Sequence, residues 1–255
     1  MSLSGSRFPY NDFGKGSCIQ CCNRRNCLID QLKISEIRDF SYALRHPKPL
    51  RRGEHLYVRG NKFYSIFIVK SGSLKTCITD TSGDYQVTGF YLPGDILGVD
   101  GLNTGQHMYD VEALETSSLC AVSYDHFEHV SDANHGKLYR QLIRHLNEMA
   151  MQNYDQMFIL GKMHANQRLA SFLLSMSKRM HDRKHSGYEF FLSMTRYDIA
   201  NYLGLAVETV SRLFKHFKTD GLITTDHRFV RIKDKGRLQD IVSRAYKFSS
   251  LSDIA

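Results

Sequence analysis

Thr195-Arg196-Tyr197-Asp198-Ile199-Ala200-Asn201-Tyr202-Leu203-Gly204-Leu205-Ala206-Val207-Glu208-Thr209-Val210-Ser211-Arg212-Leu213-Phe214 is the most specific pattern in the chain, and its reading decides the fold. Thr195 with Asp198 three residues on forms a capping box, Asp standing in for the usual Glu or Gln, so a helix begins there. Gly204 supplies a tight turn, small Ala200 lets two helices approach, and Ile199, Leu203, Val210 and Leu213 make their buried contact. Gly221 after Asp220 stops the second helix. Phe229-Val230-Arg231-Ile232 is the one clear strand beyond it and fits one arm of a β-wing. The pattern predicts a winged helix-turn-helix.

On the second helix Glu208, Ser211 and Arg212 stand at i, i+3 and i+4, on a face that Val210 and Leu213 do not use. Arg212 suits guanine O6 and N7, Glu208 can accept from cytosine N4 or adenine N6, and Ser211 is permissive. A Glu208–Arg212 surface ion pair is the alternative for the same spacing. Lys215, His216 and Lys218 suit phosphate contact or plain solvation. Charge agrees with an anionic partner, because residues 164–255 hold 16 basic and 9 acidic side chains whereas residues 1–163 hold 18 and 17.

Upstream, Ser65 to Val69, Leu74 to Thr79, Tyr85 to Tyr91, Tyr109 to Leu114 and Ser118 to Val122 are β-branched or aromatic runs. Gly72, Gly83, Gly94 and Gly105 recur every eleven residues, a turn spacing that predicts an antiparallel β-roll. From Asn134 to Met163 the period becomes helical, with Tyr139, Leu142, Leu146, Met149, Asn153, Gln156, Leu160 and Met163 on one stripe. A helix near thirty residues spans about 45 Å, more than a small roll covers, so the stripe seeks a second copy of the chain. Leu142, Leu146, Met149, Asn153 and Leu160 are the expected seam, and the Asn153 amide would fix register at a cost in stability. The expected class is α+β: a cysteine-rich arm (1–30), a β-roll (31–133), a dimerisation helix (134–163) and a winged helix-turn-helix (164–255).

Cys18, Cys21, Cys22 and Cys27 fall within ten residues. Thiolates this close can converge on one metal centre with little further loss of chain entropy, and spacing alone leaves zinc and iron-sulfur open. Cys77 and Cys120 lie in expected strands, where a buried thiol behaves as a small apolar residue. Arg24 and Arg25 can offset thiolate charge or lie in solvent. At 42% apolar and 24% charged, with no run of eighteen apolar residues and no apolar core in Met1 to Ser17, the chain predicts neither a membrane span nor export. A cytoplasmic location follows, and there a disulfide framework fits poorly. No G-x-S-x-G, H-E-x-x-H or Walker A pattern points to an enzyme.

Taken in order, cysteine cluster, β-roll, long helix and winged helix-turn-helix make the chain resemble the CRP/FNR superfamily of bacterial regulators, and within it the FNR subgroup of fumarate and nitrate reduction regulators. Cys18-x2-Cys21-x5-Cys27 matches the subgroup's three N-terminal cluster ligands, and Ala113 to Cys120 resembles the segment carrying the fourth. Phe90-x2-Pro93-Gly94-Asp95-Ile96-Leu97-Gly98 and Thr195 to Leu213 also resemble that subgroup. The resemblance implies a [4Fe-4S] cluster on Cys18, Cys21, Cys27 and Cys120, whose conversion by oxygen weakens a DNA-bound homodimer. Val207-Glu208-Thr209-Val210-Ser211-Arg212 resembles the recognition helix and implies a palindrome of TTGAT half-sites, so Val207 and Thr209 join the expected DNA-binding residues. The hairpin at Thr81 to Tyr85 resembles a region that contacts RNA polymerase. Cys22 departs from the ligand pattern and takes no ligand role. Two alternatives share the β-roll, a cyclic-nucleotide sensor and a zinc-stabilised regulator without redox sensing. The first needs a cationic clamp on the cyclic phosphate, yet Pro93 to Val122 contains no Arg or Lys.

Overall fold

The computed structural model describes residues 18–124 and 132–243. The arm before Cys18, the residues 125–131 and the chain beyond 243 lie outside the described residues. Two compact units divide between Glu148 and Met149, inside the long helix.

The first unit is an antiparallel roll of two four-stranded sheets. One has the order β1 (Leu44–Arg45), β8 (Ser118–Ser123), β3 (Ser65–Ser71), β6 (Ile96–Leu97); the other runs β2 (His55–Tyr57), β7 (Asp110–Ala113), β4 (Leu74–Thr79), β5 (Tyr85–Tyr91). The five strands legible in the sequence are the long ones. Two- and three-residue strands such as β1, β2 and β6 are too short to show alternation.

Strand alternation gives the first sheet two apolar faces. Phe67, Val69, Leu97, Leu119 and Ala121 point into the roll and meet Leu56, Tyr57, Leu74 and Val111 of the other sheet. Ile66, Ile68, Ile96 and Val122 line the outer face. There they are covered by Leu28, Ile29 and Leu32, by Ile37 and Phe40 of helix α1 (Ile34–Ala43), and by Leu138 and Leu142 of helix α2 (Asp132–Lys162). Full burial of each such side chain contributes about 1.5 to 3 kcal/mol. Lys137 Nζ also donates to Glu36 Oε1 at 2.8 Å, tying α1 to α2.

The face that α2 turns inward corrects the expected seam. Leu142 is only 6% exposed, inside the core of its own unit, and Leu146 packs half-buried against that core. A residue already buried by its own chain cannot line a contact with a second copy, so Leu142 leaves the expected set. The apolar side chains that α2 leaves outward are Tyr139, Ile143, Met151, Tyr154 and Met157, the last 70% exposed. Met149 and Leu160 are half-buried, and Asn153 is exposed.

The second unit adds α3 (Ala165–Asp182), α4 (Arg196–Leu203), α5 (Val207–Thr219), α6 (Lys235–Ser243) and a three-stranded sheet of order β10-β11-β9. These strands are Glu189–Phe191 (β9), Ile223–Asp226 (β10) and Phe229–Ile232 (β11), so the wing has two more strands than its sequence showed. Thr195 caps α4 through the reciprocal bonds its spacing predicts, Thr195 N–H donating to Asp198 Oδ2 at 2.8 Å and Asp198 N–H to Thr195 Oγ1 at 3.1 Å. Gly204 turns the chain at φ +59°. Val210, Phe214 and Phe217 form the buried stripe of α5; Leu213, expected there, is half-buried because the stripe drifts by one position along the helix.

Gly94 sits at φ +97°, and a Cβ there would stand 2.5 Å from Asn26 O, so the turn before β6 presses against the cysteine segment. Gly83 has φ +90° but open space around it. Gly94→Ala is therefore expected to destabilise the first unit by about 1 to 3 kcal/mol more than Gly83→Ala, read by thermal unfolding of the two variants side by side. Equal losses would mean that the contact carries no energy.

Candidate metal centre and nucleic-acid interface

Cys18 opens a 3-10 turn (Cys18–Gln20), and Cys27 ends a second (Arg24–Asn26). Cys21 N–H donates to Cys18 O at 3.3 Å, Arg24 N–H to Cys21 O at 3.2 Å and Cys27 N–H to Arg24 O at 3.4 Å, so successive tight turns coil the segment on itself. The Asn23 side-chain amide donates to Lys70 O and fastens this coil to the end of β3. Cys120 stands opposite Ile68 in the β3–β8 ladder. It alternates with Leu119 and Ala121, which point into the roll, and therefore faces outward.

The structure brings Cys18, Cys27 and Cys120 to one apolar core, the one shared with Leu138 and Leu142. Burial pushes the Cys120 thiol up to about 12, and the charges of Cys27, Cys18 and Cys21 all add to the shift. Burial likewise pushes Cys27 up to about 12, with Cys18 and Cys21 contributing. Cys18 is raised, again first by burial and then opposed by a hydrogen bond with Ser41. The cation felt by both Cys18 and Cys120 is Lys70. Arg24 and Arg25 drew attention in the sequence because they lie between thiols, but Arg25 is exposed and Lys70 reaches the group from another strand. Cys22 is exposed, and Cys77 is buried in β4 of the other sheet. No disulfide joins any pair of cysteines among the described residues.

Among the described residues no three His, Cys, Asp or Glu side chains stand as a ready-made site for a metal ion. The fit to a cluster rests on donor type and convergence. Cys18, Cys27 and Cys120 on one apolar wall, with Cys21 a single turn from Cys18, are a soft-ligand set whose charge an iron-sulfur centre would neutralise.

On α5 the expected face is open. Glu208, Ser211 and Arg212 are exposed, while Val207 and Thr209 are half-buried at the start of the helix. The basic residues Lys215 and Lys218 continue the exposed side, and His216 Nδ1 lies 2.9 Å from Asp220 Oδ2. Arg196, at the first turn of α4, lies 3.3 Å from the centre of the Phe214 ring, and burial lowers its pKa to about 10. The helix-turn-helix is thus braced behind the solvent-facing side of α5.

The β-roll contains a buried polar group that the sequence did not reveal. The Asp100 carboxylate accepts from Tyr57 Oη at 3.2 Å, Met108 N–H at 2.7 Å and Tyr109 N–H at 3.3 Å, with His107 Nδ1 at 3.3 Å. His107 stacks on Tyr57 with ring centres 3.6 Å apart. Burial alone would raise the Asp100 carboxyl, yet the bonds from His107 and Met108 hold it below its ordinary value. A fixed negative charge sits here, in a segment that supplies no Arg or Lys to clamp a cyclic phosphate. Only a signature linking Tyr57 to residues forty or more positions on could have disclosed it.

A β-roll followed by a long helix and a winged helix-turn-helix is the element order of a DNA-binding transcription regulator. A cyclic nucleotide-binding domain model matches residues 47–134 and a Crp-like helix-turn-helix domain model matches residues 167–241. The chain is 36% identical to the transcriptional activator protein anr of Pseudomonas aeruginosa, covering 85% of this chain and 88% of that one. It is 34% identical to electron transport regulator A of Shewanella oneidensis, over 89% of this chain and 91% of that protein. With the fumarate and nitrate reduction regulatory protein of Escherichia coli K12 it shares 32% identity over 88% of this chain and 89% of the relative. The structure of FixK2 from Bradyrhizobium japonicum superposes with a TM-score of 0.67 at 27% identity, over 78% of this chain and 96% of that one. The chain belongs to the CRP/FNR family of transcription regulators. No helix among the described residues is long and apolar enough to cross a membrane.

Arg212→Leu is expected to weaken binding by about 1 to 3 kcal/mol at a guanine-containing half-site and to relax preference at that base. Competition binding with base-substituted duplexes reads both. Unchanged binding and unchanged preference would remove Arg212 from the groove face.

Proposed function

We propose that the chain is an oxygen-responsive, cytoplasmic transcription regulator in which a [4Fe-4S] cluster on Cys18, Cys21, Cys27 and Cys120 favours the DNA-binding homodimer. The observation that carries this reading is that Cys18, Cys27 and Cys120 pack on the apolar core that also holds α2, with Cys21 one tight turn from Cys18. The names of the relatives, among them an anr activator and a fumarate and nitrate reduction regulator, support anaerobic control. When bound, the cluster supplies sensitivity to oxygen.

The chain's own residues do the rest. With their thiolates held together, Cys18, Cys21 and Cys27 keep the coiled segment seated over Leu28, Ile29 and Leu32, whose core reaches Leu138, Leu142 and Leu146. That seating fixes the first half of α2, where Ile143 points outward; the outward apolar side chains of its second half are Met151, Tyr154 and Met157. Those side chains, with Leu146, Met149, Asn153 and Leu160 at their margin, form the seam in this reading. A dimer sets two recognition helices about 34 Å apart, so Glu208, Ser211 and Arg212, with Val207 and Thr209, read two TTGAT half-sites at once. Loss of ligation lets the segment loosen, the dimer dissociates, and DNA affinity falls by mass action. The hairpin Thr81 to Tyr85 is the surface assigned to RNA polymerase. Residues 1–30, 31–133, 134–163 and 164–255 serve as arm, sensor roll, dimerisation helix and DNA-binding part. The buried Asp100 carboxylate disfavours a cyclic-nucleotide signal.

Anaerobic purification with iron, acid-labile sulfide and zinc analysis tests this, comparing the native chain with Cys120→Ser and Cys77→Ser. The native chain and Cys77→Ser are expected to carry iron and sulfide in equal amounts, and Cys120→Ser little of either. Full iron and sulfide in Cys120→Ser would move the fourth ligand elsewhere, and zinc without sulfide in the native chain would overturn redox sensing.

A further inference from the structure

Four carbonyls at the ends of two helices converge on one side chain. Arg168, in the first turn of α3, donates from Nε to Met163 O at 2.9 Å and from Nη2 to Leu160 O at 2.9 Å. Both acceptors belong to the end of α2 or the residue just past it. From Nη1 it donates to Leu203 O at 2.9 Å and Gly204 O at 3.4 Å, where α4 ends in the turn of the helix-turn-helix. The last carbonyls of a helix have no partner inside it and carry the negative end of its dipole. A planar guanidinium spreads its donors in a fixed fork that spans two such ends at once, whereas an ammonium concentrates its donors at one point.

A second tie runs in parallel. Gln156, one and a half turns before the end of α2, donates from Nε2 to Tyr202 O at 2.9 Å. The contact is close throughout, because a Cβ added at Gly204 would meet Arg168 Nη1 and Leu160 Cδ2, each at 3.4 Å. Leu160, expected in the seam between copies, is thus partly spent on the helix-turn-helix of its own chain.

We infer that Arg168 and Gln156 are positioning residues that fasten the last turns of α2 to the helix-turn-helix as one rigid piece, so that the angle at which two long helices pair dictates the separation of the recognition helices. Neither residue reaches DNA in this account. They convert pairing into discrimination of half-site spacing, and a chain lacking them pairs normally but tolerates misplaced half-sites. The inference rests on the proposed reading of a dimer on a palindrome.

The test measures binding of the anaerobically purified full chain to three palindromes, one with native spacing and two with one base pair inserted or removed, and to a single half-site. Native protein, Arg168→Lys and Gln156→Leu are compared, with dimerisation followed by sedimentation. Native protein is expected to prefer the native spacing by at least about tenfold; in Arg168→Lys that preference falls to within about threefold, while half-site affinity and dimerisation stay within about twofold. Gln156→Leu shows the same loss to a smaller degree and carries the test should Arg168→Lys fail to fold. A variant that keeps the full spacing preference overturns the inference. So does a half-site affinity that falls as far as the palindrome affinity, since Arg168 would then merely hold the DNA-binding unit together. Native protein indifferent to spacing would instead overturn the dimer-on-palindrome reading itself, a separate and recognisable result.

Discussion

One apolar core does two jobs in this chain, and the rest depends on that sharing. The outer face of the β1-β8-β3-β6 sheet is covered on one side by the segment that follows the cysteines and on another by the first half of α2. Interiors are close-packed and do not deform continuously, so a change in how the cysteine segment sits is felt at Leu138, Leu142 and Leu146. Cys18, Cys27 and Cys120 lie in this same packing. A centre held there is connected to the long helix by contact, without a dedicated relay.

Electrostatics gives the sharing a direction. Cys27 and Cys120, weakened as acids by burial and by neighbouring thiols, keep their protons in the unligated chain. In the proposed reading, ligation would replace those protons with metal charge and hold the coiled segment as a rigid lid on the core. Asn23 and Gly94 brace that lid from two sides, one by a hydrogen bond to the end of β3 and the other by close approach of the turn before β6. The Asp100 carboxylate meanwhile is satisfied within its own unit by Tyr57, Met108 and Tyr109, at the margin of the roll's apolar interior.

The elements that came through from sequence are those whose signal is local. The capping box at Thr195 and Asp198, the Gly204 turn and the five long strands are written in consecutive residues, and each was found where its chemistry put it. The cysteine spacing pointed to a centre, but that Cys120 turns outward to meet the segment needed the β3–β8 register. What failed to read correctly was rotational. Helical period gave a stripe on α2, but Leu142 and Ile143 are adjacent, and only packing against the roll decides that the first is buried and the second 64% exposed. On α5 the same one-residue ambiguity favoured Leu213 over Phe214. Lys70, Asp100 and Arg168 were invisible for a further reason: their partners lie on other elements, and nothing in their own neighbourhood distinguishes them from surface charges.

The central claim, that the thiol centre and the long helix share one packed core, is tested most directly by amide hydrogen exchange across α2 before and after air exposure of anaerobically prepared protein. Protection is expected to be lost in the turns bearing Leu138, Leu142 and Leu146, together with the segment Cys18 to Leu32, while α4 and α5 keep theirs. Loss of the centre with no change in exchange along the first half of α2 would contradict it.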